Sequence, residues 1–250
     1  MRLNSRLTIP MPACLSWARF LILCAGLQAA VPLPAEDTYL PPGRPDGIAL
    51  LPPPPAPASE EEAADLASTR AVFYGRTPAE EARAFKDATL SFNIFERAIG
   101  PDFQLDHLPK TAALLKKIKA EIGEIIDIPK DHWKRMRPYQ LDPQLSLRQP
   151  EPSPSYPSGH STRGTVYSLV LAELYPEKRQ AILAVGREIG WDRVLIAKHY
   201  PTDVYAGRVL GRAIVRELRT SPAFQRDLAE AKAEVRAAAE PALVSPAARN

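Results

Sequence analysis

The first of three clusters of chemically active side chains pairs Lys130 with Arg137. The two lie seven residues apart in the run KDHWKRMR, which is two turns of an α-helix, and Pro138 follows directly. We therefore expect both cations on one face of a helix that ends at Arg137. Two fixed cations on one face indicate a site for an anion, although a basic run of this kind is also common on a solvated surface.

The second cluster is Ser158, Gly159 and His160 in the run PSGHST, directly ahead of an apolar helical pattern. Backbone amides at the start of a helix have no partner within that helix, so they favour an anion. The Ser158 hydroxyl adds a donor, and Gly159 lets a ligand oxygen approach the chain closely. The alternative is an ordinary helix cap followed by a histidine at the surface.

The third cluster is Arg193, His199 and Asp203. Arg193 lies four residues after Ile189 and three before Ile196, so it projects from an apolar stripe that should face the core. A buried guanidinium needs an anionic partner, which is either a ligand or a structural carboxylate. Asp203 falls in the first turn of the next predicted helix, from which it can reach back to the imidazole of His199. An exposed histidine beside a capping acid is the alternative.

Together, Lys-x6-Arg-Pro, Pro-Ser-Gly-His and Arg-x5-His-x3-Asp resemble the motifs of the type 2 phosphatidic-acid-phosphatase (PAP2) and vanadium-haloperoxidase superfamily. The stretch 50–100 and the run KDHWKRMRP are similar to bacterial class A non-specific acid phosphatases, so the resemblance covers about 40–220. It implies an all-α, single helical-bundle domain of the PAP2/chloroperoxidase type. That family usually has Ser where this chain has Asp192. We expect Asp192 to turn away from the site and to pair with a neighbouring base.

Phosphoryl transfer demands mainly positioning and charge neutralisation from a protein. The residues expected to hold the phosphate are Lys130, Arg137, Ser158, Gly159 and Arg193. In this hypothesis His199 attacks phosphorus to form a phosphohistidine, and Asp203 stabilises the resulting imidazolium. His160 protonates the leaving alcohol and then activates water. The resemblance implies the same roles, and an optimum on the acid side of neutrality.

Three other functions are weighed against this acid phosphatase. A vanadium-dependent haloperoxidase-like enzyme would need the same anion cage, and a non-catalytic protein that binds phosphorylated ligands would need the donors alone. A membrane lipid phosphatase is disfavoured because no stretch after the first 30 residues is long and apolar enough to span a bilayer. We expect no metal and no cofactor, since the four histidines are not at ligand spacing and the motifs are cationic. The expected partners are small phosphorylated substrates such as nucleotides, sugar phosphates and aryl phosphates.

The elements that must position these residues are predicted to be helical. Prolines fall at or near most of the predicted starts, where they are tolerated, and no alternating pattern long enough for a sheet is found. One all-α acid phosphatase domain is predicted over 59–240, followed by a flexible tail at 241–250. The predicted helices are 60–74, 78–98, 110–127, 160–174, 177–197, 202–218 and 222–239.

The N-terminal part of the chain is different in character. Residues 1–30 combine three arginines, no acid, a short apolar run and two terminal alanines, which is typical of a secretory signal and predicts a periplasmic protein. Both cysteines, Cys14 and Cys24, lie there. Removing this segment leaves equal numbers of acidic and basic residues, which argues against nucleic-acid binding. Proline dominates 31–58, so we expect a linker outside the core or an extended arm that lies across a partner surface, and the arm suggests a homo-oligomer.

Overall fold

The computed structural model describes residues 38–146 and 150–239, and within them the expected all-α fold is confirmed. No β-strand is assigned in these two ranges. The α-helices are α1 Gly47–Leu50, α2 Glu60–Gly75, α3 Pro78–Lys86, α4 Glu96–Ile99, α5 Pro109–Trp133, α6 Pro138–Leu141, α7 Gly159–Leu174, α8 Arg179–Leu195, α9 Pro201–Leu218 and α10 Pro222–Ala239.

Helix starts follow the capping chemistry that the sequence carries. Ser59 caps α2 by accepting the amide of Glu62 at 3.1 Å. Thr77 and Glu80 form a capping box at the start of α3. Prolines open α5, α9 and α10, where the missing N–H costs no hydrogen bond. All the predicted helices therefore start within two residues of the observed ones.

The predicted helix 78–98 is wrong in its second half, because the chain leaves the helix after α3 and makes a 3-10 turn before α4. Asp87 ends α3, and its buried carboxylate accepts a hydrogen bond from Arg97 at 2.7 Å. Thr89 and Ser91 lie between these two residues, and such side chains compete with helical hydrogen bonding. The ion pair thus fixes a folded connection where the pattern predicted a continuous helix.

The helix α7 packs against both α8 and α9, and glycines allow the close approach. A Cβ at Gly186 of α8 would lie 2.3 Å from Oγ of Ser168, and a Cβ at Gly207 of α9 would lie 2.6 Å from the carbonyl oxygen of Ser158. The start of α7 is therefore held directly against α9. The apolar stripe predicted along α8 is buried as expected, at Ile182, Val185, Ile189 and Ile196.

Three residues of the proline-rich segment 31–58 join the core, so the prediction that this segment lies outside it is wrong for them. The three are Tyr39, Leu40 and Leu51. The carboxylate of Glu121 accepts the amides of Tyr39 and Leu40, each at 2.9 Å. The ring of Tyr39 meets that of Phe224 edge-on, with the centroids 5.5 Å apart. Partners from α5 and α10 therefore draw in a segment whose own composition favours an extended chain.

The predicted signal segment 1–30, the first residues of the proline-rich segment and the tail 241–250 lie outside the described residues. In the parts of the chain that the structure describes, none of the helices combines the length and the apolar character needed to cross a bilayer.

Candidate active site

His199 is buried, with Asp203 at one ring nitrogen and Arg137 at the other. Its Nδ1 lies 3.3 Å from Oδ2 of Asp203 and 3.3 Å from Oγ of Ser155, and its Nε2 lies 3.3 Å from Nη1 of Arg137. The predicted contact between Asp203 and His199 is therefore present. A carboxylate beside Nδ1 and a guanidinium donor beside Nε2 favour the tautomer with the proton on Nδ1. The lone pair of Nε2 then faces the cation.

The end of α8 fixes the spacing between Arg193 and His199. Ala197 adopts the left-handed conformation, with φ of 51°. Its amide donates to the carbonyl of Val194 at 2.9 Å, and the amide of Lys198 donates to the carbonyl of Arg193 at 2.8 Å. These are the two hydrogen bonds of a Schellman motif. The amide of His199 also donates to Arg193, at 3.2 Å, so the turn itself sets the Arg-x5-His spacing.

Lys130 and Arg137 reach the site from different local structures, so the predicted shared helix face is wrong. The helix α5 ends at Trp133, because Lys134 is left-handed, with φ of 49°, and its amide donates to the carbonyl of Lys130 at 2.9 Å. Arg137 lies beyond this cap in extended chain. The bend after the helix returns the guanidinium of Arg137 to the imidazole of His199.

The segment 153–155 supplies carbonyl oxygens to both of these cations. Nζ of Lys130 donates to the carbonyl of Pro154 at 2.6 Å, and Nε of Arg137 donates to that of Ser153 at 2.9 Å. Burial, and then the charge of Arg137, lower the pKa of Lys130 to about 7. Lys130 therefore loses its charge near neutrality.

The start of α7 adds neutral donors beside these cations. Oγ of Ser158 caps the helix by accepting the amide of Ser161 at 3.3 Å, and the amide of Ser158 donates to the carbonyl of Asp203 at 3.0 Å. A Cβ at Gly159 would lie 3.9 Å from Cε of Lys130. The first turn of α7 thus lies against both the lysine and the residues that hold His199.

Arg193 is buried, and its Nη2 is ion-paired with the carboxylate of Glu151. Its Nε has no hydrogen-bond partner among the described residues. Burial opposes ionisation of Glu151, but Arg193 and Arg137 outweigh it and lower the pKa of that carboxyl. The anionic partner predicted for Arg193 is therefore a carboxylate here, and a phosphate that binds Nη2 must displace it.

His160 is half-buried, and its Nε2 lies 3.1 Å from the carbonyl oxygen of Ala88. Burial, and then the charge of Arg193, lower the pKa of His160 to about 3, against the opposing effects of the Ala88 carbonyl and of Glu151. The imidazole is consequently neutral over most of the acid range until a further negative charge comes close to it.

The predicted residues lie close to one another around His199. Burial holds the pKa of His199 well below its ordinary value, and Arg137, Lys130, Arg193 and His160 add to the effect. Direct contacts place the cations here: Nη1 of Arg137 lies 3.3 Å from Nε2 of His199, and Nζ of Lys130 and Nη2 of Arg137 both donate to the carbonyl of Pro154. The structure thus brings the three predicted cations and both predicted histidines together, and it keeps His199 neutral.

Sequence reasoning missed the groups that hold Asp203. Its Oδ1 accepts a hydrogen bond from Nη1 of Arg135 at 2.6 Å, and its Oδ2 accepts one from Oγ of Ser155 at 2.5 Å. Arg135 also pairs with the buried Asp65 at 2.8 Å. Arg135 stands two residues from Arg137 in the same basic run, and this position could have indicated that it belongs to the site. Asp65 comes from α2 and carried no local signal.

Asp192 turns away from the site, as predicted. Its carboxylate accepts hydrogen bonds from Nη2 and Nε of Arg83 at 2.8 and 3.1 Å. Burial raises the pKa of Asp192, and the hydrogen bond and charge of Arg83 oppose that rise. The replacement of the usual serine therefore adds no free negative charge to the phosphate site.

The chain is similar to known proteins over most of its length. Residues 117–226, which include every predicted site residue, match the family model described as the PAP2 superfamily. A non-specific acid phosphatase of Providencia stuartii is 32% identical over 199 residues, covering 76% of this chain and 80% of that protein. A second, from Salmonella typhimurium, is 32% identical over 198 residues, covering 74% and 78%. An acid phosphatase of Zymomonas mobilis is 29% identical over 199 residues, covering 76% and 75%.

Proposed function

The chain belongs to the PAP2 superfamily, and from that membership we propose that it is an acid phosphatase that hydrolyses phosphate monoesters without a metal ion. One observation carries the proposal. The imidazole of His199 has Asp203 at Nδ1 and directs Nε2 at the guanidinium of Arg137. A neutral nitrogen nucleophile among cations is suited to attack on the phosphorus of a bound phosphate.

In the first step Nε2 of His199 attacks phosphorus in line with the leaving oxygen. The N–P bond forms as the P–O bond to the alcohol breaks, and His160 gives its proton to the departing oxygen. Asp203 stabilises the positive charge that develops on the phosphorylated imidazole. The negative charge of the bound phosphate raises the pKa of His160, which supplies the proton that this step requires.

In the second step the neutral His160 takes a proton from water, and the water oxygen attacks phosphorus. The N–P bond breaks, inorganic phosphate leaves, and His199 returns to its neutral state. An alcohol that takes the place of this water receives the phosphoryl group instead. The same mechanism therefore supports phosphotransfer to alcohols as a second activity.

The phosphate oxygens are held by charge and by neutral donors. Three cations, Lys130, Arg137 and Arg193, neutralise the equatorial oxygens, and guanidinium groups suit them because two N–H donors face one oxyanion. The Ser158 hydroxyl and the amide of Gly159 add neutral donors at the start of α7. Binding releases the carbonyls of 153–155 from two of these cations.

Hydrolysis of p-nitrophenyl phosphate by purified protein, with EDTA present, tests the proposal. His199→Ala should lower kcat by at least about 1,000-fold and should leave the binding of inorganic phosphate measurable. His107→Ala, which changes an exposed histidine outside the site, serves as the control. Radioactive phosphate from the substrate should appear on the wild-type protein as an acid-labile adduct. Near-normal activity of His199→Ala would contradict the assignment of the nucleophile.

We also propose that residues 1–30 direct export to the periplasm and that the protein forms a homo-oligomer. The support is the arginine-rich start followed by a short apolar run, and the proline-rich segment 31–58. Phosphatase activity after osmotic shock, compared with and without residues 1–30, tests export. Light scattering on the purified protein tests the oligomer, and a monomeric mass would contradict it.

A further inference from the structure

A cavity of about 390 Å³ opens beside His160. Its wall includes Phe92, Lys119, Arg163 and Tyr167. Because His160 protonates the leaving oxygen in the proposed mechanism, the rest of the leaving group extends from phosphorus towards the His160 side. The cavity lies on that side. Assigning it to the leaving group therefore rests on the proposed function.

Arg163 joins this cavity to the phosphate site. It stands three residues after His160 and four after Gly159 on α7, so it neighbours each of them on the helix surface. A Cβ at Gly159 would lie 2.9 Å from Nη1 of Arg163. Within the described part of the chain, the guanidinium of Arg163 forms no hydrogen bond or ion pair. A half-buried guanidinium with all its donors available is suited to bind an oxyanion in a bidentate manner.

Tyr167 belongs to the same wall. Its ring is buried against Phe92, edge-on with the centroids 4.9 Å apart. Its Oη is buried and has no hydrogen-bond partner among the residues that the structure describes. Burial raises the pKa of Tyr167 to about 12, so the hydroxyl remains a donor. Buried hydroxyls are normally paired, and the residue that carries this unpaired one is part of the wall that Arg163 lines.

The charged side chains that line the cavity are basic. Lys119 contributes a second cation from α5, at the exposed side of the wall. Among the described residues that line the cavity, none carries a carboxylate. A leaving group with a negative charge therefore gains attraction here without meeting a like charge in the wall.

We propose that this cavity binds the leaving group and that Arg163, with Lys119, selects phosphate monoesters whose alcohol carries a second oxyanion. The oxyanion is a carboxylate or a second phosphate. The transferred phosphate stays on Lys130 and the motif arginines, and the second oxyanion lies on Arg163 beyond His160. Arg163 is thus a determinant of substrate specificity outside the three motifs.

The experiment compares kcat/KM for pairs of substrates that differ in the second charge. One pair is 3-phosphoglycerate and glycerol 3-phosphate; the other is propane-1,3-diol bisphosphate and propyl phosphate, counted per phosphate. In the wild type, kcat/KM should be about 10-fold higher for the member of each pair that carries the second oxyanion, the scale of one charge-assisted hydrogen bond. Arg163→Met should abolish the preference, and Arg163→Lys should restore most of it. Because the measured quantity is a ratio, a general loss of activity in a variant cancels.

Arg212→Met, which removes the same charge from an exposed position on α9, should keep the wild-type ratio. Equal kcat/KM values within both pairs in the wild type would overturn the inference while leaving the phosphatase intact. So would a proportional loss on all four substrates in Arg163→Met, because Arg163 would then bind the transferred phosphate. Absence of turnover on every substrate would instead contradict the proposed function. A preference within one pair only would assign the cavity to that oxyanion and support the inference for it.

Discussion

The carboxylate of Glu151 is ion-paired with the guanidinium of Arg193, one of the three buried cations proposed to bind phosphate. Glu151 belongs to the same stretch of chain that places carbonyl oxygens on Lys130 and Arg137. The chain therefore neutralises its own anion site. A substrate phosphate must replace a carboxylate rather than water, and this exchange weakens its apparent affinity.

Replacing that carboxylate should strengthen substrate binding. Glu151→Gln removes the charge that competes for Arg193, so KM for p-nitrophenyl phosphate should fall by roughly 3- to 10-fold, the scale of one partly exposed ion pair. The value of kcat should change by less than about 2-fold, because the carboxylate is displaced before chemistry begins. Steady-state kinetics and inhibition by inorganic phosphate measure both effects.

The gain from Glu151→Gln should depend on pH. The pKa of Glu151 lies below its ordinary value, so the wild-type carboxylate is charged and competes at neutral and mildly acid pH. As the pH falls through that pKa, the carboxyl becomes protonated and the two proteins should converge. Glu124→Gln, at an exposed position on α5, is the control. An unchanged KM in Glu151→Gln at neutral pH would show that the ion pair does not compete with substrate.

Lys130 should set the alkaline limit of kcat/KM. Its pKa of about 7 means that the lysine is charged below that pH and loses its charge above it. Arginine stays protonated throughout, so Lys130→Arg should move the alkaline limb of the pH profile upward by about one pH unit or more. Lys134→Arg, at the exposed cap of α5, should leave the limb in place. An identical limb in Lys130→Arg would assign the alkaline transition to another group.

Arg135, which is buried and ion-paired with Asp203, should contribute to stability as well as to activity. Arg135→Met leaves two buried carboxylates, Asp203 and Asp65, without their shared cation, and should lower the free energy of unfolding by about 3–5 kcal/mol. Arg70→Met breaks a more exposed pair with Asp142 and should cost about 0–1 kcal/mol. Urea unfolding followed by circular dichroism measures both. Equal losses in the two variants would contradict the special weight given to Arg135.

The close approach of α7 and α8 should not tolerate a methyl group. Gly186→Ala places a Cβ 2.3 Å from Oγ of Ser168, and the forced shift should lower the free energy of unfolding by about 1–3 kcal/mol despite the better helix propensity of alanine. Gly123→Ala in α5 meets nothing within 4 Å and should stabilise the protein by up to about 1 kcal/mol. Thermal denaturation compares the two. A higher free energy of unfolding in Gly186→Ala than in the wild type would mean that α7 and α8 move apart to accept the methyl group without loss of stability.

Local signals explain why most of the fold was predictable. Ser59, Thr77 and the prolines that open helices act on their own first turns, so the sequence shows helix starts directly. The link between His199 and Asp203 was predictable for the same reason, since one turn of chain separates them. Sequence spacing within a helix predicts which side chains lie close together, because the geometry of the helix is already known.

Contacts between segments that lie far apart in the chain could not be predicted from the sequence in this way. The left-handed Lys134 ends α5 four residues before the proline that the pattern favoured, and no glycine or asparagine marks it. The burial of Tyr39 depends on Glu121 and Phe224, far away in the chain. Glu151 stands in a polar, proline-rich segment that also holds Asp142, and nothing in the local sequence indicates which of the two carboxylates pairs with Arg193. Tertiary packing decides all three.

The hydrogen bond from the amide of Ser158 to the carbonyl of Asp203 ties the first turns of α7 and α9 into one unit. Separation of the two turns would break this hydrogen bond between the residue that follows Pro157 and the acid that contacts His199. Loss of turnover on heating should therefore coincide with loss of helical ellipticity, with no active, half-melted species between them. For this protein, residual activity at any temperature would then serve as a direct readout of the fraction of molecules still folded.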